Sequence, residues 1–318
     1  FSQLVDAYGD IPYSEALKGA ALLNPRFDAD VDIYNGKPEL GIQGLFSLIN
    51  EGIGNLSKPG AALGAAGGDI VYGGNLDKWK RFGRSLKLKL FNQMRKTNPA
   101  GLADSVQRLM GQPLLDPSSS FQLKFGTLTA PENRHIGFQS DYVNVGRENR
   151  VHPSLVSLMV NGTTDFAAAD SATVTAANID PRTNYYFYNQ TAAAPADPDR
   201  VYSKAPIPGI PGRFITTLIG GPAGAILSDI QTLPGLYPYA GRYNDAPALA
   251  NENSAPGNGT QRLLTYFTQK FTEAELQLTV LNNPAAADAA YREAVLAAFE
   301  DVRRIAGAPE FAGVPTLG

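Results

Sequence analysis

The sequence predicts a mainly α-helical fold in which two blocks of helical hairpins bracket a long irregular insert. Three observations carry that expectation. Apolar residues recur at three- and four-residue steps near both ends of the chain, the period of one buried helix face. Between those blocks, over residues 112–260, short apolar pieces alternate with turn residues. The composition agrees, because 32 Gly and 23 Pro in 318 residues mark many turns, while 43% apolar residues can still fill a core.

Taken in order, Ile33, Tyr34, Leu40, Ile42, Leu45, Leu48, Ile49, Ile53 and Leu56 read as one helix over 33–56. A small-residue connection follows, from Gly60 to Gly68. A second amphipathic helix is expected over 76–96, with Trp79, Phe82, Leu86, Leu90 and Met94 on its apolar stripe and Lys80, Arg84, Lys87 and Lys89 around it. Trp79 is expected in the core. Asn75 or Asp77 would cap this helix, and Pro99 opens another over 100–110. Within the insert, Asp116-Pro117, Asn161-Gly162, Asp180-Pro181 and Asn258-Gly259 mark turns. Only 151–160, after His152-Pro153, reads as helix there, and 191–199 reads as a surface loop. An insert of this length is too long for a passive connection, so function is expected on it. In the closing block, Leu263, Leu264, Phe267, Phe271, Ala274, Leu278 and Leu281 form a helix of about twenty residues by their spacing. Asn282-Asn283-Pro284 breaks it, and Ala289, Ala290, Tyr291, Ala294, Val295, Ala298, Phe299 and Val302 form its partner. Hairpins of this size are the unit of tetratricopeptide-like scaffolds, although the repeat signature is matched in neither block. The chain thus reads as one domain, with scaffold parts at 1–111 and 261–318 and the insert at 112–260.

Several function classes are excluded. With 27 basic and 30 acidic residues there is no basic footprint for nucleic acid. The absence of cysteine removes disulfides, thiolate zinc sites, iron–sulfur clusters and a thiol nucleophile. No uninterrupted apolar run is long enough for a membrane-spanning helix. The low charged fraction, 18%, suits an exported protein. The start, Phe1-Ser2-Gln3-Leu4-Val5-Asp6, lacks a methionine and a basic leader, so the chain reads as an internal piece of a longer protein.

Catalytic signatures fail as well. His135 and His152 lie in no H-E-x-x-H frame, and Gly83-Arg84-Ser85-Leu86-Lys87 lacks the second glycine of a nucleophile elbow. The glycine runs at 67–74 and 220–224 match neither a dinucleotide fingerprint nor a phosphate-binding loop. The chain is therefore read as a non-enzyme. Asp28, Asp30, Asp32, Tyr34 and Glu39 fall at positions 1, 3, 5, 7 and 12 of a calcium loop, but Ile33 stands where the turn requires glycine. The cluster is read as capping the following helix, with calcium the lesser alternative and no other cofactor expected.

Aromatic clusters are the better functional signal. Tyr185-Tyr186-Phe187-Tyr188 lies in the insert, and Tyr237, Tyr239 and Tyr243 stand near Arg242 and Asn244. Four consecutive aromatics cannot all face one core, so some should be exposed. Flat rings beside amides and charges suit sugars or peptides, and the alternative that they only cover the scaffold stays open.

Certain segments resemble one family. Tyr8-Gly9-Asp10-Ile11-Pro12-Tyr13-Ser14-Glu15-Ala16 is similar to the opening motif of the SusD/RagB-like outer-membrane nutrient-binding lipoproteins. Gly68-Asp69-Ile70-Val71-Tyr72-Gly73-Gly74 followed by Lys78-Trp79-Lys80-Arg81-Phe82 and Ser85-Leu86-Lys87-Leu88-Lys89 resembles a second motif, with Arg84 where asparagine is usual. Asp180-Pro181-Arg182 resembles a third, and Leu264-Thr265-Tyr266-Phe267 through Glu275, with Tyr291 beyond, a fourth, with Phe267-Thr268 where a glutamate usually follows the Thr-Tyr pair. They occur in the family's order and span most of the chain. The resemblance implies a tetratricopeptide-like scaffold, a lipid anchor N-terminal to this chain on the outer membrane of Bacteroidota, and a lid role over a SusC-like TonB-dependent transporter that imports glycans or peptides. Asp104-Ser105-Val106 and Asp170-Ser171-Ala172 resemble the O-glycosylation acceptors of exported proteins in that phylum. The expected ligand face is Tyr185, Tyr186, Tyr188, Tyr237 and Tyr239, with Arg242 and Asn244. Two competitors remain: a helical-repeat protein-interaction module without a small-molecule ligand, and a hydrolase using Asp or Glu pairs of the insert, for which no pair stands out.

Overall fold

In the computed structural model, residues 1–60, 68–144, 151, 155, 158–159, 179–190 and 232–317 are described. In chain order the elements are α1 (Ser2–Tyr8), β1 (Ile11–Pro12), β2 (Phe27–Asp28), α2 (Asp30–Asn35), α3 (Leu45–Asn55), α4 (Leu76–Met94), α5 (Pro99–Met110), β3 (Phe121–Lys124), α6 (Ile136–Phe138), α7 (Thr183–Tyr186), β4 (Phe187–Tyr188), β5 (Leu233–Pro234), α8 (Leu236–Tyr239), β6 (Thr260–Leu264), α9 (Tyr266–Thr279) and α10 (Pro284–Ala306). The architecture is mainly helical, and its sheets are two-stranded: β1–β2, β3–β6 and β4–β5. The chain divides into two units, Phe1–Gln122 with Arg262–Ala297, and Leu123–Gln261 with Ala298–Gly318.

In the first unit, glycines decide where the helices stop. The single helix expected over 33–56 is three pieces, because Gly36 (φ 91°) ends α2 and Gly41 (φ 71°) ends a 3₁₀ turn at Pro38–Leu40. Gly44 then starts α3 so close to the α2 end that a Cβ there would stand 2.5 Å from the Asn35 carbonyl carbon. Both pieces bury one shared core of Ile33, Tyr34 and Leu45 with Val5, Ile11 and Leu90. The three- and four-residue spacing survives that break, which is why it reads as one helix.

The helix α4 is the centre of this unit. Asn75 caps it, its side chain accepting from the Lys78 N–H at 3.1 Å. Leu90 joins the core just named, while Leu88 packs with Leu102, Val106 and Leu109 of α5 and Leu276 of α9. Two buried faces explain why Leu88, off the expected stripe, is fully buried. The cations of α4 hold an irregular strand of chain beside it. Lys78 Nζ donates to the Ser118 carbonyl (2.6 Å), Arg81 Nη1 to Leu114 (2.8 Å) and Arg84 Nη1 to Pro113 (3.2 Å), while Ser85 Oγ accepts from the Leu115 N–H (3.0 Å). A segment without ladder partners has its backbone groups satisfied this way. Trp79 is half-buried rather than core, because its indole N–H is drawn to the Asp69 carboxylate at 2.8 Å. Asp69 also accepts from the Val71, Tyr72 and Gly74 N–H groups, so one side chain shapes the loop entering α4. Burial raises its carboxyl, but these four donors outweigh that and hold it down to about 2.

The next helix, α5, starts as expected at Pro99, with Asn98 as its cap. Leu263 and Leu264 belong to β6 rather than to the following helix, since Thr265 caps α9 and accepts from the Thr268 N–H. The Tyr266 hydroxyl reaches Glu293, and Lys270 bridges Glu273 and Glu293, tying α9 to the first half of α10. Ser105 sits inside α5, between exposed Asp104 and buried Val106.

In the second unit, β4 and β5 pair antiparallel with Phe187 opposite Pro234 and Tyr188 opposite Leu233. One core gathers Tyr185, Leu236, Tyr237, Val302 and Phe311, and another gathers Phe138, Tyr142, Tyr188, Leu233 and Ala250. The expected surface loop 191–199, the glycine run 220–224, His152, Asn161-Gly162, Ser171 and most of the expected helix 151–160 lie outside the described residues. Among the described residues no helix is long and apolar enough to cross a membrane.

Candidate functional site

The second unit brings the expected ligand residues together, and one short turn sets them up. Asp180 accepts from the Arg182 N–H (2.8 Å) and from its guanidinium (2.6 Å), and Thr183 Oγ1 donates to the Asp180 carbonyl (2.6 Å). The Arg182 guanidinium lies 4.2 Å from the Phe299 ring centroid, fastening this turn to α10. The tyrosine run starts from that anchor.

The run then changes conformation in its middle. Helix α7 ends at Tyr186 and β4 begins at Phe187, so side-chain directions change from a helical to an alternating pattern. The three tyrosines of the run are thereby shared between two cores, and Phe187 is buried as well. Tyr185 enters one, its hydroxyl donating to the Pro315 carbonyl at 2.5 Å. Tyr188 enters the other, its hydroxyl donating to the Ala248 carbonyl (2.6 Å) and accepting from the Ala248 N–H (2.9 Å). Tyr237 donates to Asp301 Oδ2 at 2.7 Å. These three rings are 3%, 0% and 7% exposed, and Asn244 is 0% exposed with its Oδ1 accepting from the Asn189 N–H. The expectation that they form an exposed platform is therefore corrected for Tyr185, Tyr188, Tyr237 and Asn244. Tyr185 and Tyr188 are buried because the helix-to-strand switch sends them into two different cores, while Tyr237 packs in the first core and Asn244 bonds the Asn189 backbone.

The half-buried members of the cluster are Tyr186, Tyr239, Arg242 and Tyr243. Tyr186 stacks on Tyr237 with centroids 4.8 Å apart, and Tyr243 meets Tyr185 edge-on at 5.0 Å. Tyr239 stacks on His135 at 4.9 Å, while Gly137 beside it has no room for a side chain against that ring. His135 itself caps α6, its Nδ1 accepting from the Gly137 N–H at 3.1 Å. Arg242 lies over the Tyr188 ring, 4.7 Å from its centroid. Burial raises the Tyr185 hydroxyl to about 12, and burial with the Asp141 charge raises Tyr239 to about 12, so both remain protonated hydrogen-bonding groups at neutral pH. The arrangement offers ring edges, amides and one guanidinium. Tyr243 and Asn184, whose carbonyl accepts from the Asn244 N–H, are part of it, although neither belongs to the expected ligand face. The Tyr-x-x-x-Tyr spacing from Tyr239 to Tyr243 was the available signal.

The carboxylates of the calcium-like spacing are not brought together. Asp28 is 2% exposed, accepting from the Ser14 N–H and pairing with Arg26 at 2.9 Å. Asp32 pairs with Lys37, and Asp30 accepts from the Val31 N–H in the first turn of α2. Glu39 sits apart in the 3₁₀ turn. Among the described residues no group of three or more His, Cys, Asp or Glu could hold a metal ion.

The motifs noted in the sequence thus turn up as fold-building devices, and comparison with known proteins agrees with them. Residues 1–201 match a SusD-like family model described as starch-binding associating with outer membrane. The chain belongs to the SusD-like family. Solved SusD-like structures share its fold: a SusD homolog from Bacteroides uniformis (TM-score 0.62, 19% identity, 99% of this chain and 56% of that one), a chitin-binding SusD homolog from Flavobacterium johnsoniae (0.60, 16%, 95% and 50%) and a SusD homolog from Bacteroides ovatus (0.56, 18%, 95% and 50%). The chain spans about half the length of these structures. No curated protein sequence matches it.

Proposed function

We propose that this chain belongs to a surface-exposed nutrient-binding lipoprotein of the outer membrane that captures glycans or peptides without transforming them. It would serve as the lid and capture subunit of a SusC-like TonB-dependent transporter, held to the membrane by an N-terminal lipid. The observation that carries the reading is the match of residues 1–201 to a family described as starch-binding and associating with the outer membrane. The chitin-binding relative from Flavobacterium johnsoniae supports an oligosaccharide as ligand. The cluster of the second unit supplies suitable chemistry, because half-buried tyrosine rings offer flat apolar faces and Arg242 and Asn184 offer polar groups at their edges.

Two experiments test it. Purification from the source outer membrane should yield one particle containing a large TonB-dependent barrel; isolation of the protein without such a partner refutes the lid role. Oligosaccharide titrations should then give binding that Tyr186→Ala and Tyr239→Ala each weaken by about 1–2 kcal/mol, roughly five- to thirtyfold. Unchanged affinity in both variants removes these rings from the site. One observation favours a second reading, a protein-interaction module: α9 and α10 expose Phe271, Leu278, Tyr291 and Leu296. A partner protein bound by this hairpin, with no response to any glycan or peptide, would select that reading.

A further inference from the structure

One cation of the tyrosine cluster is not used by the fold. Arg242 follows α8, and its backbone N–H reaches the Tyr142 hydroxyl at 3.3 Å. Its guanidinium has no hydrogen bond and no ion pair with any described residue, and it lies over the Tyr188 ring. The other described arginines of this unit are committed. Arg134 makes a bidentate pair with Glu132 and donates to the Glu252 carbonyl, Arg182 holds Asp180, Arg303 reaches the Leu317 carbonyl, and Arg304 pairs with Asp301.

Arg242 is half-buried, and it has no counter-ion among the described residues. The cation–π contact with Tyr188 uses none of the N–H donors, and these make no hydrogen bond to a described residue. Tyr188 is itself fully buried and hydrogen-bonded, so the ring is a fixed seat, and little ordering entropy remains to be lost when a ligand arrives. The nearby Asp245 makes no ion pair with it; its Oδ1 accepts from the Ala246 N–H at 2.8 Å, and the residue is exposed. The acceptor that matches a planar fork is a carboxylate, which takes two parallel hydrogen bonds.

We infer that Arg242 is the specificity-determining residue of this face and that the captured ligand presents a carboxylate to its guanidinium. The inference rests on the reading that this face binds the nutrient. An acidic sugar residue and a peptide C-terminus share that chemistry, and matched pairs separate them.

The test is calorimetric titration of the full chain with tetragalacturonate and its methyl ester, with a tetrapeptide bearing a free or an amidated C-terminus, and with neutral chito- and malto-oligosaccharides. One acidic member should bind at least about tenfold more tightly than its neutral twin, about 1.4 kcal/mol. The preference should shrink as ionic strength rises from about 0.05 to about 0.5 M. Arg242→Gln should bring the two members of the pair to equal affinity, and Arg242→Lys, with the charge but not the fork, should keep only part of the preference. Circular dichroism shows whether each variant folds, and the wild-type preference stands as a test without them. Equal binding of acid and neutral twin, neutral oligosaccharide binding with both acids ignored, or a preference that survives in Arg242→Gln overturns the inference while the nutrient-binding reading stands. Binding of no ligand at all overturns both.

Discussion

Whether Tyr188 is a core residue or a ligand contact can be decided by removing one oxygen. The ring is fully buried, and its hydroxyl both donates to the Ala248 carbonyl and accepts from the Ala248 N–H. Tyr188→Phe keeps the ring, and with it the seat of Arg242, but strips both hydrogen bonds. Each is worth about 1 kcal/mol net, and an N–H left without a partner costs about 1–3 kcal/mol where water cannot reach it. Ala248 is exposed, so water replaces part of the loss and the expected cost is about 1–2 kcal/mol. At about 2–4 °C per kcal/mol for a unit of this size, calorimetry should record a melting point lower by about 2–8 °C. Tyr188→Ala should cost more, about 3–5 kcal/mol, since it opens a cavity in the second core. Ligand titration well below the transition should find the affinity of Tyr188→Phe unchanged. An unchanged melting point together with weakened binding would refute the argument, because the hydroxyl would then be spent on the ligand and not on Ala248.

Three further outcomes follow from the first unit. Asp69 titrates at about 2 when folded, below the ordinary 3.8, so the stability it contributes is fully present above about pH 4 and is lost as pH falls toward 2; Asp69→Asn should therefore melt below wild type at pH 7, with the gap closing across that window in a melting series. Gly44→Ala should destabilise by about 1–3 kcal/mol in urea unfolding, because the new methyl meets backbone that cannot yield, whereas Gly52→Ala, in an exposed turn of α3 with open space around it, should stabilise by about 0.5–1 kcal/mol. Arg81→Met should cost about 1 kcal/mol by the same assay, since it strips the Leu114 carbonyl of its donor and leaves Asp116 without that cation, and Lys80→Met, whose Nζ pairs with exposed Asp77, should lie within about 0.5 kcal/mol of wild type.

The scaffold was legible in the sequence because helices announce themselves locally. Period, caps and breakers placed α4, α5 and the α9–α10 hairpin within a few residues, Asn75 and Pro99 included. The failures came where distant backbone decides. The spacing from Ile33 to Leu56 is helical, yet the chain breaks at Gly36 and restarts at Gly44, and both short helices face one core. The tyrosine cluster expected to bind ligand was legible as a neighbourhood and not as a surface. Sequence adjacency made Tyr185 to Tyr188 look like a platform, but which ring faces solvent depends on the switch from α7 to β4 and on partners such as Ala248, Asp301 and Pro315, from 60 to 130 residues away. The family motifs explain why recognition outran site assignment. Asp10 accepts from the Asp30 N–H, Ser14 and Glu15 hold Arg26 at the β1–β2 ladder, Asp69 shapes the loop before α4, and Asp180 with Arg182 starts α7. Each motif is spent on building the fold, so its presence identifies the family and says nothing of what is bound. Specificity has to be sought in side chains the fold leaves uncommitted, and in this cluster that criterion selects Arg242 over the buried tyrosines beside it.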